Sequence, residues 1–120
     1  VVRLIIDKGF AMDRTTFEEY EERVDAGAEL LDEKEPLWYI DVDPGTLDMS
    51  DPDKCVVGQL RPDEPYHVTL GSLGIDPYAS DEVSFGFDLK MGYFSQFGHA
   101  DFEILNVLWT RAIMQRRSEH

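Results

Sequence analysis

At 120 residues the chain has room for one domain with its own core, and a 42% hydrophobic fraction that includes two Trp, five Tyr and seven Phe excludes a disordered acidic tail. Its formal net charge of −14 is concentrated, because the stretch 13–53 holds fifteen Asp and Glu against only Arg14, Arg23 and Lys34. Such a field repels nucleic acid and anionic membrane and favours basic partners.

Val1 to Ile6 is β-branched and ends at Asp7-Lys8-Gly9, a pattern that predicts a short strand closed by a turn. No Met opens the chain, which leaves a start upstream of Val1 open. The short apolar run, followed by charges and lacking a small-residue cleavage pattern, does not read as a signal peptide. From Thr16 to Pro36 the period changes to helix: Phe17, Tyr20, Val24, Ala28 and Leu31 recur at intervals of three and four with the acids opposite. Either Thr15 with Glu18 or Thr16 with Glu19 supplies the capping-box pattern.

Leu37 to Ile40, centred on Trp38 and Tyr39, has the composition of a buried extended segment and is followed by a Pro44-Gly45 turn. Ser50 or Asp51 then caps a short helix with Pro52 in its first turn, running through Cys55, Val56, Gln59 and Leu60 to Pro62. A second short helix is predicted from Glu64 to Leu73, with Gly71 and Gly74 near its end. Val83-Ser84-Phe85-Gly86-Phe87 alternates large and small residues and suits a strand pairing with the first one. An irregular loop around Gly92 and Gly98 leads to a final helix from about Asp101. There Phe102, Leu105, Trp109, Ala112 and Ile113 form one stripe, and Arg116 and Arg117 sit at the negative end. The predicted fold class is α+β and helix-dominated: a single domain over 1–120, with two long amphipathic helices, short helices and a minimal strand pair.

Cys55 is the only cysteine, so no intramolecular disulfide, thiolate zinc site or dithiol redox motif can be built within one chain, and a reducing cytoplasm is the expected setting. No apolar run approaches the ~20 residues that span a bilayer. Asp41, Asp43, Asp48, Asp51 and Asp53 resemble a cation loop at first sight. A calcium loop counted from Asp41 would need an oxygen ligand, Gly and Glu where Gly45, Thr46 and Pro52 stand, so these acids read as loop and helix-cap residues. Neither a metal nor a cofactor is expected. Cys55 with His67 or His99 carries no spacing that identifies a nucleophile and base, and beside Val56 and Val57 the thiol reads as buried and inert. His99-x-Asp101 reads as a local helix cap, and Trp38 and Trp109 as core aromatics. Arg111, Arg116 and Arg117 are too few for a nucleic-acid patch. They complement the helix dipole or the acidic first helix, within a monomer or between subunits.

A set of residues in the middle and end of the chain carries a family resemblance. They are Leu30-Leu31-Asp32-Glu33-Lys34-x-Pro36-x-Trp38, Ile40-Asp41, Leu47-Asp48-Met49-Ser50, Cys55-Val56-x-Gly58-Gln59-Leu60, Leu73-Gly74, Gly86-Phe87-Asp88, and then Leu105, Trp109 and Arg116-Arg117. In order and spacing, over about residues 28–117, this resembles a family of small proteins, mostly of unassigned function, encoded by phages of actinobacteria and by their hosts. Where that family carries a Gly- and Tyr-containing segment after Gln59-Leu60, this chain has Arg61-Pro62-Asp63-Glu64-Pro65. The resemblance implies phage accessory biology in the bacterial host cytoplasm and brings no catalytic residues with it.

The expected function is therefore non-enzymatic: binding of a host or phage protein, with no membrane and no direct nucleic acid, through an apolar patch in an acidic surface. Candidate contact residues are Glu18, Glu22, Asp25 and Glu29 on the first helix, and Trp38, Phe94 and Phe97 as aromatic anchors. The alternatives are an inhibitor whose carboxylates imitate DNA phosphates, a virion-associated structural protein, and a small metal-dependent enzyme using the acids between Asp41 and Asp53. Homo-oligomerisation is left open.

Overall fold

The computed structural model describes residues 14–76, 81–89 and 98–119. Two helices of 21 residues, α1 (Arg14–Lys34) and α6 (Gly98–Ser118), form the frame. Between them lie α2 (Trp38–Asp41), α3 (Val56–Leu60), α4 (Tyr66–Ser72) and α5 (Asp81–Ser84). The apolar spacing of α1 places Tyr20, Val24, Ala28 and Leu31 on one buried face. It packs against Leu105, Leu108, Trp109, Ala112 and Ile113 of α6. Each large side chain removed from water in this way stabilises the fold by roughly 1.5–3 kcal/mol. The frame is closed at one end by a buried hydrogen bond, in which the Tyr20 hydroxyl donates to Asp101 Oδ2 at 2.8 Å. α1 already includes Arg14, so Thr15 and Thr16 lie inside the helix and neither is its N-cap.

The α+β expectation is corrected, because the fold among the described residues is all-α, with no strand. Val1 to Ile6 lies outside the described residues. The other expected strand, 83–87, is instead the end of α5 and a tight turn. The Glu82 carbonyl accepts from the amides of Phe85 (3.3 Å) and Phe87 (2.9 Å), and Gly86 adopts φ 74°, a left-handed conformation that glycine takes at little cost. A Cβ on Gly86 would stand 3.0 Å from Val24 of α1, so the turn lies directly on the helix. Alternating large and small residues here record a turn that drops Phe87 into the core and keeps its backbone bonds local.

The extended segment expected at 37–40 is also corrected. Leu37 has φ 74°, which reverses the chain after α1 and starts the single turn α2, carrying Trp38 and Tyr39 into the core. Arg117, near the end of α6, holds this turn by donating to the carbonyls of Tyr39 (2.9 Å) and Val42 (3.0 Å). The short helix predicted to begin at Ser50 or Asp51 starts later. Cys55 is its N-cap, its Sγ accepting from Gly58 N–H at 3.4 Å, while 51–54 is a turn made by Asp51.

The core is built on aromatic contacts. Trp109 stacks on Phe87 (centroids 5.3 Å apart, planes 11° apart) and takes Trp38 edge-on at 5.7 Å and 89°. Its indole N–H donates to the Gly86 carbonyl at 2.8 Å. Gly27 lets α1 and the 85–86 turn meet at this point. A Cβ there would overlap the Phe85 carbonyl oxygen and lie 3.0 Å from the Trp109 ring.

Candidate functional site: an acidic cleft between the long helices

The carboxylates singled out on the first helix do share a surface. Glu18, Glu22, Asp25 and Glu29 are all exposed, and their spacing of four, three and four puts them in one stripe along α1. Towards the end of that stripe, Asp25, Glu29 and Asp32 line a cleft of about 350 Å³ together with Tyr39 and, from the end of α6, Gln115, Arg116 and Glu119. Glu18 and Glu22 continue the stripe beyond it.

Asp32 organises the cleft. It accepts the indole N–H of Trp38 at 2.9 Å and a two-pronged contact from Arg116, with Nε on Oδ1 and Nη2 on Oδ2, both at 2.9 Å. The guanidinium also lies 5.7 Å from the Trp38 ring centroid. Its hydrogen bonds to Asp32 raise its already high pKa further, against a smaller opposing effect of burial. Asp32 is therefore committed to an internal ion pair. Asp25, Glu29 and Glu119 make no side-chain hydrogen bond or ion pair among the described residues, and their only basic neighbour in the cleft wall is Arg116. Arg111 pairs with Glu21 at 2.5 Å, so Arg111, Arg116 and Arg117 all make contacts within the chain, two on α1 carboxylates and one on the carbonyls of Tyr39 and of Val42 at the end of α2.

Trp38, an expected contact residue, has 0% exposure and cannot touch a partner without unfolding the core. The residues flanking it are the exposed ones, with Leu37 at 59% and Ile40 at 58%. They flank in sequence the short helix residue Tyr39 that lines the cleft, Leu37 as the N-cap of α2 and Ile40 within it. Composition signalled an apolar segment at 37–40. Which of its residues face out was hidden, because that depends on the left-handed turn at Leu37. Phe94 and Phe97 lie outside the described residues.

The remaining motifs resolve into local structure. Asp43 Oδ1 accepts from Gly45 N–H (2.8 Å), Asp48 Oδ1 from Ser50 N–H (3.0 Å) and Asp51 Oδ1 from Asp53 N–H (2.9 Å), each acid closing its own turn. Among the described residues no three His, Cys, Asp or Glu side chains are grouped to hold a metal ion. Asp101 sits in the first turn of α6 bound to Tyr20, while the side chain of His99 lies outside the description. Cys55 is buried, with Sγ against Pro52 O at 3.7 Å, whereas His67 is exposed on α4. Burial pushes the thiol pKa up to about 11, outweighing the amides of Gly58 and Val57 that favour the thiolate. Native Cys55 is therefore expected to react with a thiol reagent only as fast as the protein opens. Labelling in water at the rate seen in denaturant would contradict the burial.

Comparison with protein-family models, with curated proteins and with solved structures finds no match to this chain. The site is therefore read from its own geometry. No helix among the described residues is long and apolar enough to cross a membrane.

Proposed function

We propose that this is a non-enzymatic binding protein that engages the basic surface of a protein partner, with Leu37 and Ile40 as apolar anchors and the cleft carboxylates as the surrounding charge. The observation that carries the reading is the exposure of Leu37 and Ile40, sequence neighbours of the cleft residue Tyr39, together with a cleft whose Asp25, Glu29 and Glu119 have no ion pair of their own among the described residues. Two large apolar side chains held in water next in sequence to a residue of a mainly acidic cleft suit a partner that presents an apolar contact ringed by Lys or Arg. Desolvated apolar anchors supply most of the affinity of such interfaces, and complementary charge mainly accelerates encounter and rejects wrong partners. A phage accessory role in the host cytoplasm, as the resemblance implies, is the setting we propose for it.

The test is capture from host lysate followed by kinetics on the captured partner. Leu37→Ser with Ile40→Ser is expected to weaken the complex at least about tenfold, chiefly through faster dissociation. Reversing Glu18, Glu22, Asp25 and Glu29 to Lys should instead slow association and flatten its salt dependence while leaving a complex. Both variants are checked for helix content by circular dichroism. If the charge reversal abolished the complex and the apolar changes did nothing, recognition would be electrostatic throughout, as in an inhibitor that imitates DNA.

A further inference from the structure

A second cavity, of about 220 Å³, shares no lining residue with the acidic cleft. Its walls include Met49 from the loop before α3, Tyr66 at the start of α4, Phe87 and Asp88 from the turn after α5, and Phe102 on α6. Three aromatic rings and a thioether make a polarisable, carbon-rich lining, and one carboxylate stands in it. Asp88 Oδ1 accepts only the amide of the adjacent Leu89 (2.8 Å), and no basic side chain among the described residues pairs with Asp88. Burial raises the pKa of Asp88, and also that of Glu82, where Asp88, Asp81 and Asp76 add to the effect. One carboxylate oxygen of Glu82 is buried with no hydrogen-bond donor among the described residues. The Asp88 charge is thus held partly out of water without a cation among the described residues, an arrangement that costs stability unless something positive approaches.

The lining decides what kind of cation fits. A metal ion asks for several oxygen ligands converging at short range, and the described residues hold no such group. An alkylated ammonium spreads its charge over methyl groups, which ring faces attract and a single carboxylate can balance from the side. The volume lies below the ~300–1,000 Å³ usual for drug-sized ligands and so suits one head group. We infer that this cavity binds a small alkylammonium group, with Tyr66, Phe87 and Phe102 around its methyls and Asp88 as its counter-ion.

The test is calorimetric titration of the whole protein with choline and, separately, with 3,3-dimethyl-1-butanol, which has the same shape with carbon in place of the charged nitrogen. Choline is expected to bind saturably and the neutral isostere at least about tenfold more weakly. Asp88→Asn should weaken choline by a similar factor, and Phe102→Leu, which keeps the lining apolar, should also weaken it. Equal binding of choline and isostere, or absence of binding at millimolar concentrations by both choline and a trimethyllysine peptide, would overturn the inference, and that comparison needs no variant to fold. Unchanged choline affinity in a folded Asp88→Asn protein would overturn it as well. A short peptide bearing trimethyllysine serves as a third ligand: binding by either cation supports the inference, and the tighter of the two tells a free molecule from a side chain. Because no wall is shared, the outcome is independent of what binds the acidic cleft.

Discussion

Truncating Trp109 to Ala is expected to remove about 4–5 kcal/mol of stability, at least about a third of it for a domain whose total lies between roughly 5 and 15 kcal/mol. The side chain has no exposure, and it is shared by α1, α2, α6 and the turn after α5. Its loss leaves a cavity lined by Phe87 and Trp38. It also strands the buried Gly86 carbonyl, which accepts the indole N–H at 2.8 Å, and an unpaired buried acceptor costs roughly 1–3 kcal/mol. These contributions overlap and do not simply add. Trp109→Phe separates them, because it keeps most of the ring and drops the N–H. Its loss should be about half that of the Ala variant. Urea unfolding followed by circular dichroism measures both, and a loss below about 2 kcal/mol for Trp109→Ala would mean that the aromatic centre is not the keystone of the packing.

Gly27→Ala is expected to destabilise by about 2 kcal/mol, although in an ordinary helix interior the same change stabilises by roughly 0.5–1 kcal/mol. The reversal of sign is the point of the experiment. Gly27 sits in the middle of α1, where an added Cβ would overlap the Phe85 carbonyl and press on the Trp109 ring, so the backbone of the turn must move away from the helix. Gly71 in α4 is the internal control, since a Cβ there meets nothing within 4 Å and Gly71→Ala should raise stability by the usual increment. Two stabilising outcomes would show that α1 and the turn do not approach as closely as described.

How far the chain could be read without coordinates follows from which interactions are periodic. The two long helices were legible because Tyr20, Val24, Ala28 and Leu31, and again Leu105, Trp109, Ala112 and Ile113, repeat with the helical period on faces that are in fact buried. Charge was legible as a stripe, since residues 18, 22, 25 and 29 share a face wherever the helix is formed. The segments 37–40 and 83–87 were misread as extended because aromatic and β-branched composition reports burial and not backbone direction. In both, one residue with positive φ, Leu37 or Gly86, turns the chain back on itself. Nothing in the sequence distinguishes that Leu from its neighbours. The acidic cleft was half visible: its α1 wall was in the stripe, while Tyr39 and Glu119 joined it only through the docking of α2 on α6. The cavity around Asp88 was not visible at all, because its walls come from separate segments with no common period.

The pairing of the first and last described helices also bears on how the molecule is made. Tyr20 and Asp101 are 81 residues apart, so the principal interface is a distant one, unlike the neighbour-to-neighbour contacts that let most helical bundles assemble quickly. Closing so long a loop adds little to the equilibrium cost, but the closure has to come before the contacts that reward it. During synthesis α1 leaves the ribosome with its apolar face uncovered and must wait for α6. The carboxylates along its other face then act as gatekeepers, keeping nascent chains apart until the partner helix arrives.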